Sequence, residues 1–246
     1  MKPFHLKQFS INQDKCAMKV TLDACLLGGL CAQFVNQSLW LSDEIPNATL
    51  DIGSGTGLLS LMLAQTGLKN IIGVELDPAA AIQAQQNIND SQFKDQITIV
   101  QSDIQNYSSE HKFNLIVSNP PFFTDNLKGP NQQRNQARHN DGLSFSDLAI
   151  SISELLAVQG TAWILLPCDE FSRFEEIATH NSLVIPSKYW IKSQQTSSPH
   201  RVVFALQHSD SNNIQPFEKT FVIKTHSQAD YSPEFKQLLT DYYLKL

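Results

Sequence analysis

The sequence predicts an α/β fold, a mostly parallel seven-stranded sheet with an antiparallel hairpin toward its carboxyl-terminal end and helices on both faces. Two observations predict it. Apolar runs alternate with helix-period segments through the middle of the chain, the pattern of a parallel sheet covered by helices. Two later strand-like runs, 183–192 and 201–207, are joined by a polar, proline-containing loop and read as the hairpin. Taken in order, parallel strands are expected at 48–52, 70–76, 97–101, 113–118 and 161–166. A helix starts near Leu58, Leu61, Met62 and Gln65 at helical spacing; Asp77 followed by Pro78 is an N-cap with proline at the first helical position, opening 79–89. Further helices are expected at about 146–157, ending at Gly160, and at about 169–179. Residues 217–224 form another strand-like run, and Ser232 and Pro233 open a last helix with Phe235, Leu238, Leu239 and Tyr242 on one face. One domain is expected over 1–246, with an N-terminal cap (1–45), a core (46–208) and a C-terminal strand and helix (209–246).

With 246 residues, the chain is long enough to bury roughly 70–75% of its unfolded surface, which excludes a staple-dependent scaffold. The apolar stretch from Ala24 to Ala32 is far shorter than the ~20 residues that cross a bilayer, so no membrane partner is expected. The first seven residues do not read as a secretory signal, and a cytoplasmic, monomeric protein is expected. Cys16, Cys25, Cys31 and Cys168 form no Cys-x-x-Cys pair and are expected to stay reduced. The 24 acidic against 18 basic residues argue against holding nucleic acid by charge alone, though not against a local basic patch.

Asp51-Ile52-Gly53-Ser54-Gly55-Thr56-Gly57 falls where the first strand turns into the first helix. Glycines there let a ligand approach the backbone, and the helix N-terminus offers free N–H groups. Leu58 stands where a dinucleotide fingerprint places its third glycine. Asp51 beside the turn is awkward for a pyrophosphate and suits the ammonium group of a methionine-like moiety. Glu75 ends the second strand, where a carboxylate accepts ribose hydroxyls. Asp103 follows the third and suits an adenine amino group, or a helix cap. Together these resemble the S-adenosylmethionine pocket of class I methyltransferases, with Asp51, Gly53, Gly55 and Gly57 at the methionine end, Glu75 at the ribose and Asp103 at the adenine.

Asn119-Pro120-Pro121-Phe122 closes the fourth strand. Two prolines fix φ and remove two donors, leaving a rigid extended turn with carbonyls free to accept. An exocyclic purine amine is a poor nucleophile because its lone pair is delocalised into the ring. The Asn119 side-chain oxygen and the Pro120 carbonyl would localise that pair and stabilise the developing positive charge, while Phe122 stacks on the base. In-line methyl transfer then depends mainly on positioning and needs no metal. The tetrapeptide resembles the Asn-Pro-Pro-(Tyr/Phe) motif of amino-group methyltransferases, which serves adenine, guanine and glutamine substrates alike.

The flanks choose among these. No long helical domain precedes Asp51 and no duplicated core is visible. The segment from Phe9 to Gly28, the tetrapeptide, Pro199-His200-Arg201-Val202 and the terminal Tyr231-Ser232-Pro233-Glu234-Phe235 with Tyr242-Tyr243-Leu244 resemble the bacterial tRNA1(Val) adenine-37 N6-methyltransferase family over nearly the whole chain. The resemblance implies a Rossmann-like class I methyltransferase fold, S-adenosyl-L-methionine as cofactor and tRNA as partner. It also implies an N-terminal segment folded over the cofactor, bringing Lys19 and Asp23 toward the methionine end. Phe122 replaces the family's usual tyrosine, which keeps stacking and loses a phenolic hydrogen bond. For an acidic chain to hold RNA, basic residues must converge on the Asn119 pocket. Candidates are Lys128, Arg134, Arg138 and His139 in a long polar loop, and Lys188, Lys192, His200 and Arg201 around the hairpin. The alternative substrate is another amino group: a ribosomal RNA adenine or guanine, a DNA adenine, or a protein glutamine.

Other classes fit less well. A nicotinamide-dependent dehydrogenase is disfavoured by the glycine spacing and the double proline. A zinc deaminase is disfavoured because no His-x-Glu occurs and Pro167-Cys168 lacks a second cysteine where Phe171 stands. An inert RNA-binding scaffold is disfavoured by the intact Asp51, Glu75 and Asn119.

Overall fold

A computed structural model describes residues 2–37, 48–121, 143–211, 216–225 and 230–246. In chain order its elements are β1 (Phe4–His5), β2 (Ser10–Ile11), α1 (Leu22–Gln37), β3 (Thr49–Ile52), α2 (Leu58–Ala64), β4 (Ile71–Glu75), α3 (Pro78–Asn89), β5 (Ile97–Gln101), β6 (Phe113–Ser118), α4 (Phe145–Leu155), β7 (Leu156–Pro167), α5 (Cys168–His180), β8 (Leu183–Gln194), β9 (Arg201–His208), β10 (Phe217–Lys224) and α6 (Pro233–Leu239). Strands β5, β4, β3, β6 and β7 run parallel, and β9 pairs antiparallel with both β7 and β8.

Among the described residues the main sheet has eight strands rather than seven, in the order β10-β8-β9-β7-β6-β3-β4-β5. The eighth is β10, which the sequence marks as a strand and which pairs parallel with β8 from Phe217 against Ser187 to Lys224 against Gln194. The outer edge of the β8–β9 hairpin would otherwise expose a row of unpaired backbone groups. A second difference lies at β7, which starts at Leu156, so α4 stops at Leu155 instead of running on toward Gly160. The N-terminal region holds the long helix α1, which packs against α2, α6 and β7.

Alternation along the buried strands sorts the core onto two faces, as a period of two requires. Leu115, Val117, Trp163, Leu165, Val203 and Ala205 pack with α1, α2 and α6. Ile116, Ala162, Ile164, Leu166, Val202 and Phe204 pack with α4 and α5. Two caps follow the sequence: Asp77 accepts from Ala80 N–H at 2.7 Å and Ser232 from Phe235 N–H at 3.0 Å; Ser144, not read as a cap, accepts from Asp147 N–H at 3.1 Å. All four cysteines are free. Among the described residues, no helix is long and apolar enough to cross a membrane. Nor do three or more His, Cys, Asp or Glu residues gather into a metal-holding group there.

Candidate functional site

Four adjacent parallel strands, β6, β3, β4 and β5, end at the same edge of the sheet, so their following residues come together without any long-range design. The strand order reverses between β3 and β6, where an open α/β sheet forms a crevice. A cavity of about 630 Å³ lies there. Its walls are the turn after β3, Glu75 after β4, Asp103 after β5, Asn119, Pro120 and Pro121 after β6, and on the open side Cys16 to Val20 of the N-terminal segment.

Of the residues the sequence nominates, Lys19, Gly53, Gly55, Glu75, Asp103, Asn119, Pro120 and Pro121 line this cavity. Asp23, Asp51 and Gly57 do not. Phe122, Lys128, Arg134, Arg138 and His139 lie outside the described residues.

The turn from Gly53 to Gly57 is built on left-handed backbone, with φ of 71° at Gly53, 53° at Gly55 and 78° at Gly57. A Cβ at Gly53 would meet no atom within 4 Å, so glycine is required there by the backbone conformation and leaves the cavity wall open. Glu75 ties the turn to the next strand. Its Oε2 accepts from Gly55 N–H at 2.7 Å and its Oε1 from Asp77 N–H at 2.9 Å. Each carboxylate oxygen has a second lone pair, so the group retains acceptors for a ligand's hydroxyls. Asp103 caps the short 3₁₀ turn Ile104–Asn106 through Gln105 N–H at 3.0 Å while facing the cavity.

Asp51 is fully buried behind the turn. Its Oδ2 accepts from Ser60 N–H at 3.1 Å and from Ser60 Oγ at 2.7 Å, capping α2, whose own N-cap Gly57 has no side chain to offer. Its Oδ1 has no hydrogen-bond partner among the described residues. Burial pushes this carboxyl up to about 7, against the opposing pull of Ser60 and with a smaller contribution from the Glu75 charge.

Asn119 sits at the end of β6 with its Oδ1 buried and without a partner among the described residues. An unpaired amide oxygen in a cavity wall is costly in the protein alone and is the acceptor an incoming N–H group needs. Lys19 is braced from behind, its Nζ donating to the carbonyls of Gln13 and Cys16 at 2.6 Å each, so one of its three donors remains. Asp23 and Arg201, expected to face two different ligands, bond each other: Arg201 Nε donates to Asp23 Oδ2 at 2.8 Å. This joins the start of α1 to the start of β9. His200 does not line the cavity; burial lowers its imidazole below the usual range. Lys188 stands 5.2 Å over the Phe171 ring and 3.8 Å from Glu218.

The sequence reading missed three residues that organise this site. Ser60 donates to Asp51, and Gln83 and Asn87 of α3 bond the N-terminal segment. The signal was present: two amides at helical spacing beside the apolar stripe of Ala80, Ala84 and Ile88.

A glycine turn on the first strand of a doubly wound sheet, acidic residues at the next two strand ends and Asn-Pro-Pro at the fourth together define the class I methyltransferase fold. Solved structures agree on that fold. One described as a predicted O-methyltransferase from Agrobacterium tumefaciens matches with a TM-score of 0.63 at 14% identity, covering 89% of this chain and 96% of that one. A glycopeptide N-methyltransferase solved with S-adenosylmethionine matches with a TM-score of 0.53 at 11% identity, covering 74% of this chain and 93% of that one. The Methyltransferase small domain family matches residues 35–135. Closer relatives carry the particular identity. A tRNA1(Val) (adenine(37)-N6)-methyltransferase from Bacteroides thetaiotaomicron is 38% identical over 245 residues, spanning 99% of this chain and 98% of that protein. One from Pseudoalteromonas translucida is 35% identical over 247 residues, spanning 100% of both. The chain belongs to the tRNA1(Val) (adenine(37)-N6)-methyltransferase family.

Proposed function

We propose that this protein transfers a methyl group from S-adenosyl-L-methionine to N6 of an adenosine in tRNA, position 37 next to the anticodon of tRNA1(Val). The observation that carries the chemistry is the buried, unpartnered Oδ1 of Asn119 in the wall of the cavity that the glycine turn and Glu75 also line. The likeness to full-length relatives named for that reaction supports the substrate.

The residues present fit the cofactor. Glu75 has acceptors to spare for ribose hydroxyls, Asp103 faces the cavity beyond it, and the third N–H of Lys19 is available to a carboxylate. Asp51, behind the turn, acts by charge rather than contact: once ionised, a buried carboxylate with one unsatisfied oxygen favours a cationic group on the far side of the glycines. When bound, the cofactor supplies an electrophilic methyl group on a sulfonium centre. The protein's part is to hold the adenine amine. Asn119 Oδ1 and the Pro120 carbonyl accept its two hydrogens, keep its lone pair out of the ring and stabilise the positive charge that builds on nitrogen. The extended Asn-Pro-Pro backbone fixes that pair of acceptors, and Phe122 stacks on the base. An adenosine in an anticodon loop is splayed out at low cost, so base stacking and a small basic rim suffice for an acidic chain. The protein is expected to work as a monomer in the cytoplasm.

The test is to incubate the protein with methyl-labelled S-adenosylmethionine and separate pools of tRNA, ribosomal RNA, DNA and protein, then identify the labelled nucleoside. Label in N6-methyladenosine of tRNA is expected. Label confined to ribosomal RNA, DNA or a protein glutamine would overturn the substrate. Asn119→Ala is expected to lower kcat by about a hundredfold or more while leaving cofactor affinity within a few-fold; retained turnover would overturn the role of Asn119.

A further inference from the structure

One wall of the cavity, Cys16 to Val20, is the end of a strap, residues 12–20, that belongs to no helix or strand. Two side chains of α3 hold it. Gln83 and Asn87 are 3% and 1% exposed, which is unusual for primary amides unless their hydrogen bonds are made. Asn87 pairs with the backbone of Asn12 much as a neighbouring strand would: its Oδ1 accepts from Asn12 N–H at 2.8 Å and its Nδ2 donates to the Asn12 carbonyl at 2.9 Å. The same Nδ2 donates to the carbonyl of Thr56, in the glycine turn, at 2.9 Å. One turn earlier, Gln83 Oε1 accepts from Lys15 N–H at 2.9 Å and Gln83 Nε2 donates to Asp14 Oδ1 at 2.5 Å.

These bonds join two walls of one cavity. Thr56 belongs to the turn wall, and the strap runs on from Lys15 into Cys16, Met18 and Lys19 of the opposite wall. An apolar pair at the same α3 positions would bury surface with no penalty but would carry no register. Two satisfied amides do the reverse, because any slip of the strap leaves buried donors and acceptors unpaired.

We propose that Gln83 and Asn87 are positioning residues for methyl transfer, setting the strap and its Lys19 against the glycine turn and thereby fixing cofactor affinity. This rests on the reading of the cavity as the S-adenosylmethionine site. The effect falls on binding rather than on the chemical step, since neither residue reaches the Asn119 wall.

The test uses Gln83→Glu, which keeps an acceptor for Lys15 N–H, removes the donor to Asp14 and sets two carboxylates together. The Kd for S-adenosylmethionine, by calorimetry, is expected to rise about tenfold. At saturating cofactor and tRNA, kcat should stay within about twofold. Hydrogen exchange over 12–20 should quicken while amides of β3 to β6 keep their protection. Adding Asp14→Asn offers that carboxylate a donor again and should restore Kd to within about threefold of the wild type. Faster exchange over the strap with unchanged Kd would overturn the proposal, as would a folded double variant that shows no rescue. If Gln83→Glu does not fold, Asp14→Ala alters only the exposed partner: about a threefold rise in Kd with faster exchange at Lys15 is expected, and an unchanged Kd overturns it. A wild-type protein that binds no S-adenosylmethionine, with its strap protected, would instead remove the cofactor reading itself and this proposal with it.

Discussion

Replacing Asp51 with asparagine should make the free protein more stable above neutral pH and make it bind its cofactor less well. The Asp51 carboxyl is held up at about 7 in the folded protein against its usual 3.8, chiefly by burial. Between those values the folded state keeps a proton that the unfolded chain has released, so the folded state binds more protons and stability falls as pH rises through the window. At pH 8 nearly the full penalty is present, about 4 kcal/mol, and at pH 5 about two-fifths of it. Asparagine has nearly the same shape, accepts from Ser60 through its one oxygen, and never ionises. Comparing wild type with Asp51→Asn by urea denaturation cancels the other carboxylates. The difference should move by about 2–3 kcal/mol in the variant's favour between pH 5 and pH 8. Cofactor affinity at pH 8 should fall about tenfold, because a buried counter-charge is gone. Parallel pH profiles for the two proteins would refute the buried-charge argument. A more stable variant with unchanged affinity would refute the assignment of that charge to the cofactor.

Three other outcomes follow from the geometry. Asp23→Ala and Arg201→Ala, alone and combined, should show a coupling of about 1 kcal/mol in a denaturation cycle, smaller in 1 M salt, because both side chains are partly exposed; zero coupling would remove the pair as a tether between α1 and β9. Gly53→Ala should cost about 1–2 kcal/mol from the left-handed backbone alone, since a Cβ there meets nothing, and denaturation midpoints measure it; a neutral substitution would refute the strain. Ser60→Ala should destabilise the protein by about 1 kcal/mol more at pH 8 than at pH 5, because the lost hydroxyl bond favours the ionised Asp51; an equal loss at both pH values would place the cost elsewhere.

Much of this fold was legible because buried parallel strands read as continuous apolar runs and some of the helices, such as α3 and α6, carry side-chain caps. What escaped has particular causes. Helix α1 is buried on nearly every side from Ala24 to Ala32, so it has no polar face to set a period. Gly160 reads as a helix stop, yet a Cβ there would lie 2.8 Å from the Phe113 carbonyl: the glycine marks where β7 crowds β6 beside an irregular register. At the site, the strand-end residues were readable because topology alone gathers them. Which way Asp23 and Arg201 turn was not, because each had a plausible ligand and their bond joins positions far apart in sequence. Gln83 and Asn87 were visible as residues but not as partners, since their acceptors and donors are mostly backbone groups of the strap.

Each acidic residue proposed for the cofactor side also holds backbone amides of the fold, so a structural bond and a ligand role need not exclude each other. Asp51 caps α2, Glu75 holds the amides of Gly55 and Asp77, and Asp103 caps the turn at Ile104. A backbone N–H bound to one lone pair fixes the direction of the others, so the bond that orders a loop also orients the carboxylate for whatever enters the cavity. On the proposed reading, part of the acidic balance that counts against nucleic acid belongs to the cofactor side of the site. Glu75→Gln separates the two contributions. Its oxygen retains one amide while its NH₂ faces the other, so the glycine turn should loosen and hydroxyl binding weaken together. Loss of cofactor affinity without faster exchange at Gly55 would show the two roles to be separable after all.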